Sequence, residues 1–354
     1  MASDPLATRP QEVTASYRVR NSEPKHSSYN RPVTSVTSGR TTATAATPTD
    51  DSLLAHHRRA LADAESADLV VAPPDGGPGS WAGAPSAVLV DGTYYLSYRL
   101  RRPIGRGRGY ANIVARSDGG VTFETIAVID KDTFGADSIE RPAIAITPDG
   151  RWRLYVSPNT PDTDHWRVDL LEATTPEGLA RATPRTVLSG SADLAVKDPV
   201  IVFAEDQWHL WASCHPLTDP AHTDRMTTEY ATSDDGVDWM WRGTALAGRP
   251  GSWDARGVRI ASVMLDGPVP VAFYDGRATA EENWEERTGI AIGDSLGDFR
   301  ALGDAPVGES ALGAHGLRYL SVVPLADGRS RYYFEITRAD GAHEIRTRIV
   351  PALS

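Results

Sequence analysis

The feature that most limits what this chain can fold into is a repeat. Five times, at intervals of 58, 56, 61 and 61 residues, an apolar run enters a tight turn and emerges as a second apolar run. The five read APSAVLVDGTYYLSYRL, RPAIAITPDGRWRLYVS, DPVIVFAEDQWHLWAS, VRIASVMLDGPVPVAFY and LRYLSVVPLADGRSRYYFE. Their turns centre on Asp91-Gly92, Asp149-Gly150, Glu205-Asp206, Asp266-Gly267 and Asp327-Gly328. Such turns between apolar runs mark β-hairpins. After each of the first four hairpins come two weaker strands, as in ANIVARSDGGVTFETIAVI and TTEYATSDDGVDWMWRGTAL. Four strands per unit and five units predict an all-β fold, a five-bladed β-propeller over residues 68–354. A β-sandwich does not explain five equal units. The last unit has three strands of its own, and DLVVAP (68–73) is expected to supply the fourth and close the ring.

Residues 1–50 differ from this body. They hold seven Ser, nine Thr and six basic against four acidic residues, with hardly any large apolar side chain, and are expected to be a disordered tail. Residues 51–67 then read as one short helix before the first blade, with Leu53, Leu54, His57, Leu61 and Ala64 near one face.

The net charge of -11 argues against a nucleic-acid partner. The single cysteine, Cys214, excludes an intramolecular disulfide and a cysteine zinc cluster. No apolar run of membrane-spanning length and no signal-like start are present, so no membrane partner and a cytoplasmic location are expected. Trp and Tyr, at nine and twelve, outnumber the six Phe, which suits β-structure and sugar-like ligands.

Strand alternation sorts the loops. The Asp-Gly turns fall on one face with other tight turns. The opposite face collects the inner-strand starts and four long loops: YRLRRPIGRGRGY, SPNTPDTDHW, SCHPLTDPAHTDRM and YDGRATAEENWEERTG. Odd chemistry gathered on one face suggests a site. The inner strands begin SWAGAPS, SIERPAI, AVKDPVI, ARGVRIAS and HGLRYLS, placing Glu140, Arg141, Lys197, Asp198, Arg256, Arg259, His315, Arg318 and Tyr319 around the axis. Charges there must pair or bind something, so a structural ion-pair ring and a cationic pocket are both open.

At this point the chain resembles the five-bladed propeller glycoside hydrolases: the arabinanase/β-xylosidase, invertase/levansucrase and mannoside-phosphorylase groups. The likeness covers about residues 68–350, and its strongest local match is Lys197-Asp198-Pro199, similar to the Arg-Asp-Pro motif of the third inner strand. The resemblance implies a hydrolase or phosphorylase acting on a small-molecule saccharide, with phosphate as an additional ligand for the phosphorylase type. There are departures. The position where those families place a base or nucleophile Asp is Ala84, and the region of their acid Glu on the fourth inner strand holds Arg259. Glu140, with Arg141, Lys197, Arg259 and Arg318 around it, is nearer to the phosphorylase arrangement.

Glycoside cleavage needs a proton donor and an activated nucleophile. Glu140 is the expected acid, Asp275 or Glu282 the base, and Asp198 an ionised group held by Lys197. Arg99, Arg102 and Arg277 are expected to hold an anionic group, His215 to join them, and Trp81 and Tyr319 to stack on a sugar. His165, His215 and His315 lack metal-ligand spacing, so no metal is assigned, though a Ca2+ ion at the propeller centre stays open. Two other readings remain: a carbohydrate-binding propeller without catalysis, and an enzyme for a non-carbohydrate small molecule. No cofactor is otherwise implied.

Overall fold

The computed structural model describes residues 48–163, 165–219 and 225–353. The expected tail therefore lies almost wholly outside the described residues. The chain is all-β apart from one α-helix and three short 3-10 turns among the described residues. The helix, Asp50–Leu61, starts at Thr49, whose hydroxyl accepts a bond from the Ser52 N–H at 3.2 Å. Asp50 and Asp51 in its first turn and Arg58 and Arg59 in its last complement the helix dipole.

Four-stranded antiparallel units follow. The first is Trp81–Val90, Thr93–Arg101, Gly109–Ser117 and Glu124–Asp130. The second is Ala143–Ile146, Trp152–Val156, Val168–Ala173 and Arg185–Leu188. The third is Leu194–Ala204, Gln207–Pro216, Thr227–Ser233 and Met240–Leu246. The fourth is Gly257–Met264, Val271–Arg277, Arg287–Ser295 and Asp298–Leu302. The last has Leu317–Pro324, Ser330–Thr337 and His343–Val350, and Asp68–Val71 pairs antiparallel with its third strand. A single parallel pairing, Trp81 with His343, links the last unit to the first.

Each unit buries apolar side chains against the next. Ile129 and Phe134 meet Leu154 and Val156. Tyr155 and Val168 meet Trp208 and Leu210. Trp211 and Tyr230 meet Tyr274 and Phe299. Phe273 and Ile290 meet Tyr332 and Phe334, and there the helix adds Leu53 and Leu61. Tyr94 and Leu96 meet Val323 and Tyr333, joining the last unit to the first. Each large buried side chain contributes roughly 1.5 to 3 kcal/mol. Two-sided burial explains why the strands read as near-continuous apolar runs rather than as strict alternation.

The inner strands are not regular. Pairing shifts between Gly83 and Ser86, Lys197 and Val200, Ile260 and Ser262, and Arg318 and Ser321. Inside three of these bulges Ala84, Asp198 and Tyr319 hold left-handed backbones, with φ of 53°, 53° and 54°. Pro85 and Pro199 sit in two of them, where a missing N–H costs no ladder bond. Bulges re-aim side chains, and backbone strain of this kind persists where the surroundings over-determine it.

Candidate active site

A cavity of about 400 Å³ opens where the inner strands begin and the second strands end. Its walls carry Arg99, Arg101 and Arg108 from the first unit, Lys197 from the third, Arg259 and Arg277 from the fourth, and Arg318 from the last. Against these cations stand two lining carboxylates, Glu140 and Glu286. Trp81, Trp166, Trp284, Tyr319 and His215 complete the chemistry.

Beneath the floor lies an ion-pair network. Arg259 donates to Asp275 at 3.0 and 2.9 Å and to Asp198 at 3.1 Å. Asp275 also accepts from the Tyr319 N–H at 2.9 Å, and Asp198 from the Tyr319 hydroxyl at 3.2 Å. Both carboxylates are 0 % exposed. This corrects the expectation for Asp275: it does not reach the cavity, and its oxygens are already committed. Asp198 is likewise sealed in. Arg141 is buried as well, donating to the Ala261 carbonyl at 2.5 Å on the side of a second cavity, among Ala143, Ile144 and Pro199.

In the 274–289 loop Glu286, not the expected Glu282, lines the cavity. Glu282 turns back onto its own loop, accepting from the Ala278 N–H at 2.6 Å and pairing with Arg287 at 2.9 Å, and does not line the cavity. Glu286, further along the same loop, is 2 % exposed and takes Arg277 at 2.5 Å and Arg318 at 2.6 Å, with Arg259 at 3.8 Å.

Arg102 also fails to reach the site. It is exposed, pairs with Asp75 at 3.2 Å and lies over the Tyr110 ring. Arg101 faces inward in its stead. Trp81 and Tyr319 line the cavity, but their ring faces are taken. His343 stacks on Trp81 at 4.7 Å and the Arg101 guanidinium lies 3.9 Å from the same ring, while Arg259 lies 3.9 Å from the Tyr319 ring. Neither is free to stack on a sugar. Trp284, 41 % exposed with a left-handed backbone at φ 78°, is the better platform.

Glu140 and Arg99 form a salt bridge at the wall. Glu335 explains Ala84. Its Oε2 accepts from the Ala84 N–H at 2.8 Å, and a Cβ at Gly83 would overlap it. A carboxylate thus stands near the first inner strand after all, but it is buried and bound by Arg318 at 2.9 and 2.8 Å.

A central Ca2+ does not fit. The buried carboxylates Asp198 and Asp275 share the Arg259 guanidinium, and among the described residues no three or more His, Cys, Asp or Glu side chains gather as metal ligands.

Electrostatics make the network acid-labile. Burial opposes ionisation, yet Lys197 and Arg259 hold the Asp198 carboxyl at about 2. Against the same burial penalty, Arg318 and other cations hold Glu286 and Glu335 well below the usual carboxylate range. A carboxylate depressed on folding adds stability above its unfolded value and loses it as pH falls through the folded value. Asp275 runs the other way: burial pushes it up to about 6 despite Arg259, so between its unfolded value and about 6 its contribution falls as pH rises. Three depressed groups outweigh one raised group. The melting temperature is expected to fall steeply below about pH 4, as thermal unfolding from pH 7 to 2.5 would show. A flat profile would contradict an ionised network.

No protein-family model matches the chain, and no curated protein matches it. Solved structures do. One described as a glycoside hydrolase aligns with a TM-score of 0.62 at 13 % identity, over 86 % of this chain and 96 % of that one. An α-L-arabinofuranosidase from Lactobacillus brevis aligns with 0.58 at 16 % identity, over 76 % and 90 %. A third, described as from the GH130 family of mannoside phosphorylases containing glycoside hydrolases that target β-1,2 mannosidic linkages in Candida mannan, aligns with 0.53 at 17 % identity, over 78 % and 85 %. Likeness at this identity establishes fold and not activity, and the chain has the glycoside hydrolase-like fold that these proteins share.

Proposed function

We propose that the five units are the blades of a five-bladed β-propeller, and that the cavity at one end of its axis cleaves a glycosidic bond of a small or anionic saccharide. One observation carries the assignment of roles. Of the two carboxylates lining the cavity, Glu286 is clasped by Arg277 and Arg318 with Arg259 close by, whereas Glu140 is 8 % exposed and, among the described residues, pairs with Arg99 alone. Glu140 is therefore the group placed to give a proton to the leaving oxygen. Trp284, which lines the cavity and is 41 % exposed, is the ring placed to meet the sugar.

The second role has no obvious carboxylate. Asp198 and Asp275 are sealed beneath the floor, and a carboxylate clasped like Glu286 is a weak base. Displacement by an oxyanion such as phosphate needs no base, and the cationic wall suits it. The same lack of a second carboxylate favours the other reading, a propeller that binds saccharides without cleaving them.

The test is release of sugar from aryl glycosides and oligosaccharides, each with and without inorganic phosphate. If nothing is released and Glu140→Gln leaves saccharide binding unchanged, the enzyme reading falls.

A further inference from the structure

We infer that the cavity contains a built oxyanion subsite formed by Arg101, Arg108 and Lys197, which takes a carboxylate, sulfate or phosphate group carried by the saccharide or supplied as free phosphate. This rests on the reading of the cavity as a saccharide site.

Part of the positive charge around the cavity has no answering carboxylate among the described residues. Arg99, Arg259, Arg277 and Arg318 each have a carboxylate within reach. Among the described residues Arg101 and Arg108 have none, and Lys197 pairs with none at ion-pair distance, although its charge acts on the neighbouring Asp198. Arg101 is the telling case. It is 2 % exposed, its Nε has no hydrogen-bond partner, and its guanidinium lies 3.9 Å from the Trp81 ring centre and 4.7 Å from that of Trp284. The Arg108 Nε is also unpartnered, on a residue with a left-handed backbone at φ 45°. Lys197 lies 5.0 Å from the Trp166 ring centre.

Aromatic faces support a cation but do not neutralise it. Burying a guanidinium without a counter-charge is costly, so Arg101, with the half-buried cations of Arg108 and Lys197 on the same cavity, holds a place for an anion. The cost is visible in proton affinity. Burial, and then Arg99, Arg318 and Arg108, lower Arg101 to about 9, and burial lowers Lys197 to about 8. The planar fork of an arginine favours two-oxygen contact with carboxylate or phosphate. Trp284, beside Arg101, would place a sugar ring next to its own charged substituent.

The test is calorimetric binding to the full chain. The ligands are a uronic-acid oligosaccharide, its carboxyl-reduced neutral counterpart and inorganic phosphate alone, each against wild type, Arg101→Gln and Arg108→Gln. The uronate is expected to bind in preference to its neutral counterpart, and Arg101→Gln to weaken it about ten- to hundredfold. Phosphate binding alone with the same loss in the variant identifies a free anion as the occupant and also supports the subsite. Equal binding of charged and neutral ligands, or Arg101→Gln binding the anions as wild type does, overturns it. Ligand-free Arg101→Gln should melt at or above the wild-type temperature, since the substitution removes an unanswered charge; a lower melting temperature would mark a structural role and overturn the subsite. Selective anion binding without any glycoside cleavage would sink the catalytic reading alone. Cleavage of neutral glycosides with no anion preference would sink the subsite alone.

Discussion

Glu286→Ala is expected to cost about 3 to 5 kcal/mol of folding stability, because removing one partner of a buried ion pair strands the other. Here the buried guanidinium of Arg277 loses the carboxylate it holds at 2.5 Å, and that of Arg318 loses the one at 2.6 Å while keeping Glu335. Against a typical total of about 5 to 15 kcal/mol, that is a large share. Glu282, four residues earlier, is the control. Its side chain is 33 % exposed and bonds its own loop, so Glu282→Ala should cost about 1 kcal/mol. Urea unfolding of both variants checks the contrast. If Glu282→Ala proves the more damaging, the placement of the two side chains is wrong.

Glu140→Gln is expected to reduce turnover by about 100- to 10,000-fold, the usual worth of a positioned proton donor. The amide cannot give a proton to the leaving oxygen, but it keeps the shape of the side chain and can still accept from Arg99. Folding should lose less than in Glu286→Ala, because Glu335 lies 3.7 Å from the same guanidinium. Leaving-group dependence separates a proton donor from a merely positional residue. A dinitrophenyl glycoside leaves without protonation, so its loss should be far smaller than that for an alkyl glycoside. Equal losses for both would remove Glu140 from that role.

Much of the fold was legible in the sequence because it rests on local chemistry. The turns at Asp91-Gly92 and Asp149-Gly150 fix hairpins by their own backbone preferences, and the 3.6-residue period of Leu53, His57 and Leu61 fixes a helix face. The pairing of Asp68–Val71 with His343–Val350 followed from an unpaired edge. The site was legible where it followed strand alternation. Arg99 and Arg101 stand two apart on Thr93–Arg101 and face the same way, while Arg102 lies just past the strand end. Choosing Arg102 over Arg101 ignored that period. Asp275 and Arg277 share a face too, but depth along the strand separates them: the first meets Arg259 under the floor and the second reaches the cavity.

Other parts needed the third dimension. Glu335 takes up the space by Ala84 from 251 residues away, and no local pattern announces it. That Glu286 rather than Glu282 lines the cavity goes with a turn over residues 281–284. Trp284 stood in the same charged window, but only its strained, exposed conformation marks it as a platform.

The central claim is that Glu140 meets a glycosidic oxygen in this cavity. The most direct measurement is a crystal structure of Glu140→Gln with an oligosaccharide bound. The account predicts a glycosidic oxygen within about 3 Å of the residue 140 side chain, with a sugar ring over Trp284. A saccharide bound elsewhere on the molecule, or one in the cavity with its glycosidic oxygens turned away from residue 140, would contradict it.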